Sequence, residues 1–460
     1  MDTMNREMLR LALPSIMANL TVPLVGMVDI AVAGHLDASA AALIGGISVG
    51  SLMFDMLYWN FGFLRAGTGG MTAQAFGRRD RDDCAGNLAR GVGLAFIIAI
   101  VLLLIQWPFQ KLIFLFVGCS EEVRSLALEY FYIRVWAAPA TLSLMAFRGW
   151  FIGMQDTFSS MLTDLIVNGG NILFSILLTF GIPGTGFDGL GFKGIAFGTV
   201  VAQYSGLLFA SSRAALKFRN VFEGISLIDL KSAFDGDRVK RFLSVNRDLF
   251  IRSACLIIVY LAFTSISARF GDVLLASSSI MLKLLLVFSY FTDGFAFAGE
   301  ALTGKYVGAR QVNQVRKTVR YTFAWSMGIG VFFVFIYAVC GMSMVRLLTS
   351  DGIVVEAARA FIPWLIFFPL ISCPAFTWDG IYIGATATKA MRDSNIGCVT
   401  AFFTVWFLGH LLLPHKGVAD AHLLFAAYYS HLIYRSLYQT ILYQKSILRP
   451  LLRPHPRPLL

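Results

Sequence analysis

Apolar windows about 20 residues long recur from one end of the chain to the other, and they decide the kind of fold before any motif is considered. Stretches such as "GLAFIIAIVLLLIQW", "MGIGVFFVFIYAVCGM" and "VTAFFTVWFLGHLLL" suit helices that cross a hydrocarbon core of roughly 30 Å. With 57% hydrophobic and only 14% charged residues, and a mean hydropathy of +0.70, the 460 residues leave almost no room for a soluble domain. The alternation of a membrane β-barrel is absent, so the spans are helices, which satisfy their own backbone groups in lipid. Segmentation predicts about twelve, near 11–34, 41–64, 88–107, 127–150, 159–182, 190–213, 245–268, 273–298, 321–342, 357–385, 393–413 and 420–441.

Where the charges fall sets the orientation. Lys and Arg crowd the loop between spans six and seven (Arg213, Lys217, Arg219, Lys231, Arg238, Lys240, Arg241) and the loops after spans two and eight (Arg78, Arg79, Arg81; Lys305, Arg310, Arg316, Lys317), and are sparse in the alternate loops. This is the positive-inside pattern, and it places both termini in the cytoplasm. It also explains the net charge of +11 without nucleic acid. Arg6 and Arg10 precede the first span with no small-residue cleavage site, so the N-terminus reads as an uncleaved first helix. Six scattered cysteines, with no paired Cys or His at ligand spacing, predict neither a disulfide framework nor a metal site.

The chain repeats itself. "QAFGRR" around Gly77 matches "KYVGAR" around Gly308, and "RGWFIGMQDT" around Gly149 and Gly153 matches "DGIYIGATAT" around Gly380 and Gly384, both at an offset of 231. Two six-helix halves follow, 1–219 and 240–445, joined by a cytoplasmic linker, 220–239, and trailed by a basic Pro/Arg-rich tail, 446–460. An even number of spans per half gives both the same topology, a parallel repeat of the kind transporters use for alternating access. The glycine pairs have the G-x-x-x-G spacing of close helix packing.

An ionised residue deep in a membrane helix costs on the order of 3 kcal/mol on insertion scales and marks a candidate site. Asp29 lies at lipid depth in span one, six residues after Pro23, where a missing backbone donor allows a bend. Taking a carboxyl out of water disfavours its charged form, which suits a proton carrier. Asn168 and Asn171 in span five serve either a cation or protonated carboxyl, or helix association. Asp55 in span two and Lys283 in span eight, equivalent under the repeat, are substrate-cavity candidates: they form an ion pair across a central cavity if the halves meet there, or else snorkel or find partners elsewhere. Asp293, Asp379 and Glu300 form an acidic group toward the inner side of the second half, with Asp293 and Asp379 as site candidates and Glu300 as an interfacial residue. Tyr58, Trp59, Tyr290 and Phe291 are candidates for an aromatic pocket that attracts organic cations.

The segments "MVDIAVAGHL", "NILFS", "RDLFIRS", "YFTDGFAFAGEALTGKYVGAR" and "AFTWDGIYIGATATKAMRDS" together resemble the multidrug and toxic compound extrusion (MATE) family, in its DinF-like branch, over nearly the whole chain. The resemblance implies an all-α integral membrane fold of twelve helices in two pseudo-symmetric bundles. It implies a transporter rather than an enzyme: an antiporter exporting cationic or amphipathic organic compounds in exchange for protons or sodium ions. The protein is expected to be proton-coupled and monomeric, in the bacterial inner membrane, with no cofactor beyond its coupling ion. By the same resemblance Asp29 is the coupling residue, Pro23 the hinge, Asn171 a neighbouring polar position and Asp379 the recurrent acid of span ten. Ser175 stands where the family carries an acid, which weakens a sodium site there. A span-seven Glu of some relatives is missing, and so are the glycine and tryptophan expected before span twelve. The rivals are a sodium-coupled drug exporter and a lipid flippase, the latter expected to have a more basic cavity.

Overall fold

The computed structural model describes residues 3–36, 40–115, 117–182, 184–223, 234–412 and 418–452. The middle of the predicted linker, 224–233, and the end of the predicted tail, 453–460, lie outside them. Eight long helices form the first part: α1 (Thr3–Gly34), α2 (Ala40–Tyr58), α3 (Phe63–Arg78), α4 (Arg81–Ile113), α5 (Glu121–Arg134), α6 (Ala138–Gly153), α7 (Thr157–Phe180) and α8 (Phe192–Lys217), followed by the short α9 (Arg219–Phe222). The second part contains α10 (Gly236–Ala268), α11 (Asp272–Gly308), α12 (Val312–Leu348), α13 (Gly352–Arg359), α14 (Ile362–Gly384), α15 (Thr388–Leu412), α16 (Val418–Tyr443) and the short α17 (Arg449–Leu452).

Among the described residues, ten helices are long and apolar enough to cross a membrane. Two of the twelve predicted spans take other forms. The fourth is divided into α5 and α6 by a 3₁₀ turn at Val135–Ala137, next to Pro139, whose ring and missing N–H disrupt the preceding turn. The twelfth is helical as α16 but carries buried His431, Arg435 and Gln439, which make it more polar than the others.

The described residues group into two compact units. One comprises Met17–Ala75 and Arg79–Phe242; the other comprises Met1–Ile16, Phe76–Arg78 and Leu243–Leu460. In the first, α7 packs along α8, α2 against α5 and α4 against α6. In the second, α14 packs against α11 and α12, and α15 against α16. Phe288, Phe333, Phe361 and Phe368 belong to the aromatic core of that second unit, and Phe291 joins it with its ring 4.9 Å from Phe333.

The repeat seen in the sequence recurs in the internal geometry of each unit. A Cβ at Gly149 would meet the carbonyl of Arg65, and one at Gly153 the carbonyl of Gly69. At the same offset, Gly380 faces the carbonyl of Ala296 and Gly384 that of Glu300. The non-glycine residues with positive φ also pair: Arg79 (60°) with Arg310 (56°), and Gln155 (62°) with Thr386 (49°). They end equivalent helices, where a left-handed residue lets the backbone close on itself: Asp80 N–H donates to Ala75 O and Gln311 N–H to Tyr306 O, both at 2.9–3.0 Å.

Gly380→Ala should therefore force α14 away from α11 and destabilise the protein by roughly 1–3 kcal/mol. Gly328, also helical, has nothing within 4 Å of the methyl that alanine would add, so Gly328→Ala should be neutral or mildly stabilising. Thermal unfolding of the two variants in detergent checks this, and equal loss in both would count against the tight glycine seam.

Candidate functional site

In the first unit, Asp29 is 4% exposed. It is reached by two other helices: Ser175 of α7 and Tyr130 of α5 lie beside its carboxyl, and the guanidinium of Arg134, one turn beyond Tyr130, acts on it electrostatically. Arg134 Nη1 donates to Tyr130 Oη at 2.8 Å, and its guanidinium lies 4.7 Å from the centroid of the Phe54 ring and 5.4 Å from that of Tyr130. Among the described residues Asp29 Oδ1 has no hydrogen-bond partner. One acceptor of this buried carboxyl is thus left without a hydrogen bond among the described residues, as is Asp379 Oδ1 in the second unit.

The two asparagines of α7 do different things. Asn168 Nδ2 donates to Thr21 Oγ1 at 2.6 Å and so ties α7 to α1 two residues before Pro23. Asn171, 2% exposed, donates to Thr199 Oγ1 of α8 at 2.8 Å, and its Oδ1 is unpaired among the described residues. Both therefore join helices, and Asn171 keeps a free acceptor one turn from Ser175. Pro23 is exposed inside α1, whose helical assignment runs on unbroken past it. Asp55 is exposed and within the electrostatic reach of Arg134. Tyr58 stacks on Phe54 with centroids 5.5 Å apart, and Trp59 is 52% exposed.

In the second unit, Asp379 of α14 is 8% exposed and is ion-paired with Arg252 of α10; Arg435 of α16 stands 3.8 Å from the same oxygen. Two guanidiniums on one carboxylate make a poor seat for a cation, which alters the expectation of an inner acidic group that attracts them. Asp293 and Tyr290 are half-buried and Lys283 is exposed on α11. Glu300 is fully buried, on the part of α11 that packs against α14. Arg148, the repeat mate of Asp379, pairs with Asp164 at 2.5 Å. Among the described residues no group of His, Cys, Asp and Glu has metal-site geometry.

Comparison with known proteins places this architecture. The MatE family model matches residues 14–177 and 249–401, one block in each half of the repeat. The chain belongs to the MatE family. It is 33% identical to the DNA damage-inducible protein F of Escherichia coli over 86% of this chain and 84% of that protein. It is 23% identical to a probable multidrug resistance protein NorM of Photorhabdus laumondii over 88% and 86% of the two chains. A solved structure of MATE in the bent conformation superimposes with a TM-score of 0.83 over 98% of each chain at 15% identity, and the Vibrio cholerae MATE transporter VcmN in the bent form with 0.79 over 98% of each at 16%. The MatE chain is accordingly a multi-pass membrane transporter and not an enzyme.

Three residues that sequence reasoning passed over organise both sites: Arg134, Arg252 and Arg435. Each lies within a predicted span and was subject to the same cost argument as the acids; counting cations as well as carboxylates inside the spans would have found them. Asp29, Asp164 and Asp379 of this MatE protein are thus each accompanied by arginine, so a lack of basic residues inside the spans is no argument against a flippase.

Asp379→Asn should destabilise the protein by about 3 kcal/mol or more, because it leaves the buried guanidinium of Arg435 and the half-buried one of Arg252 without a carboxylate. Arg252→Gln should cost clearly less, since Asp379 keeps Arg435. Denaturation in detergent gives the order, and equal or reversed effects would mean that Asp379 does not anchor the pair.

Proposed function

We propose that this MatE protein is a proton-coupled antiporter of the bacterial inner membrane that exports cationic or amphipathic organic compounds, with both termini in the cytoplasm. The reading rests above all on Asp29: a buried carboxyl on α1, open at Oδ1, bordered by hydroxyls and one guanidinium. Sodium is less well served there. A hard cation needs about six oxygen ligands, whereas Ser175 replaces a second acid and Arg134 brings a competing positive charge.

Protonation of Asp29 from outside would weaken its attraction to Arg134 and change what α1 and α7 hold together. Asn168 fastens α7 to Thr21, so a shift at Asp29 reaches the segment around Pro23 along the same helix. Coupling requires only that proton and substrate favour different states of the protein. The names of the relatives, a multidrug resistance protein among them, support the substrate class.

The test is proton release from vesicles containing the purified protein when ethidium is added. The native protein should release protons and Asp29→Asn should lose the flux while still binding ethidium. Sodium-driven ethidium movement that survives Asp29→Asn would shift coupling to another site, Asp293 first; dependence on neither ion would favour a lipid flippase.

A further inference from the structure

The buried charge around Asp379 does not balance. Arg252 and Arg435 both face this one carboxyl. The neighbouring acids are engaged: Asp248 accepts from Arg392 at 2.8 Å and from Thr388 at 3.3 Å, and Asp393 accepts from Arg392 at 2.7 Å. Arg247, 3.4 Å from Asp248, has a side chain 64% exposed. Arg435 is 1% exposed, stands over the Phe376 ring at 5.6 Å, and has no hydrogen bond at Nε or Nη2 among the described residues. A guanidinium cannot shed its proton, and a buried charge without its counterpart is strongly unfavourable.

The rest of the helix points the same way. His431, Arg435 and Gln439 lie four residues apart and share one face of α16, at 4%, 1% and 0% exposure. Among the described residues His431 Nδ1 and both amide atoms of Gln439 lack partners. Arg252 Nε is also unpaired, and its side chain, 18% exposed, is the part of the cluster that reaches the surface. Arg252 Nε, Arg435 Nε and Nη2 and Gln439 Nε2 are donors without partners among the described residues, more than the unpaired acceptors Asp379 Oδ1 and Gln439 Oε1 can take, and they match the oxygens of an anion.

We propose that this stripe binds the anionic end of an amphipathic solute, a carboxylate or sulfonate, which enters beside Arg252 and pairs with Arg252 and Arg435. Asp379 positions the two guanidiniums and is not itself the recognition element. The inference rests on the transporter reading and widens it from cations to zwitterions and amphipathic anions.

Rhodamine B and its ethyl ester differ by one free carboxylate, so fluorescence anisotropy of both dyes with the purified full chain isolates the site. Arg435→Gln should weaken rhodamine B binding about tenfold and leave the ester within about twofold, with Arg435→Lys between. On the native protein, naphthalenesulfonate should displace rhodamine B and not the ester. Equal weakening of both dyes, or no displacement by the sulfonate, would overturn the proposal, and the displacement decides it even if Arg435→Gln does not fold. Failure of the ester to bind at all would instead strike the organic-cation reading, which the sulfonate result leaves separate.

Discussion

Putting an ionised side chain into a membrane helix is expensive, and for Asp29, Asp164 and Asp379 the structure answers that cost by bringing helices together around them. Asp29 on α1 draws in α5 and α7; Asp164 on α7 holds Arg148 of α6; Asp379 on α14 holds α10 and α16. Apolar contact alone gives little drive for association in lipid. These pairs, with the glycine seams, say which helices must be neighbours.

The two units solve the problem with different balances. In the first, Arg134 acts on both Asp29 and Asp55, leaving the group acidic; in the second, Asp379 answers two arginines and leaves it basic. Yet the frame that carries them is the same. Gly149 and Gly153 meet the backbone of α3 just as Gly380 and Gly384 meet that of α11, and left-handed residues recur at equivalent helix ends. One duplicated scaffold thus carries two differently charged interiors.

The scaffold was legible because its signals are local: apolar run length, loop charge, and a backbone contact that only glycine permits. The offset of 231 could be read from Gly77, Gly149 and Gly153 and their mates without coordinates. Asp29 was legible too, since an isolated acid in an apolar run stands out. Its partners were not. Arg134 sits more than a hundred residues away in the chain, Arg252 and Arg435 straddle Asp379, and no periodicity connects them. The burial of Glu300 was not legible either, because hydropathy falls before α11 ends while other helices pack around it. The break before Pro139 was hidden by an apolar window that runs across it.

The central claim is that Asp29 changes protonation when substrate binds. Infrared difference spectra of the purified protein, recorded with and without ethidium, report this directly through the carboxyl stretch of a protonated acid. The account predicts a substrate-induced loss of that band in the native protein and its absence from the Asp29→Asn spectrum. The same band in both proteins would assign the proton to another group and contradict the role given to Asp29.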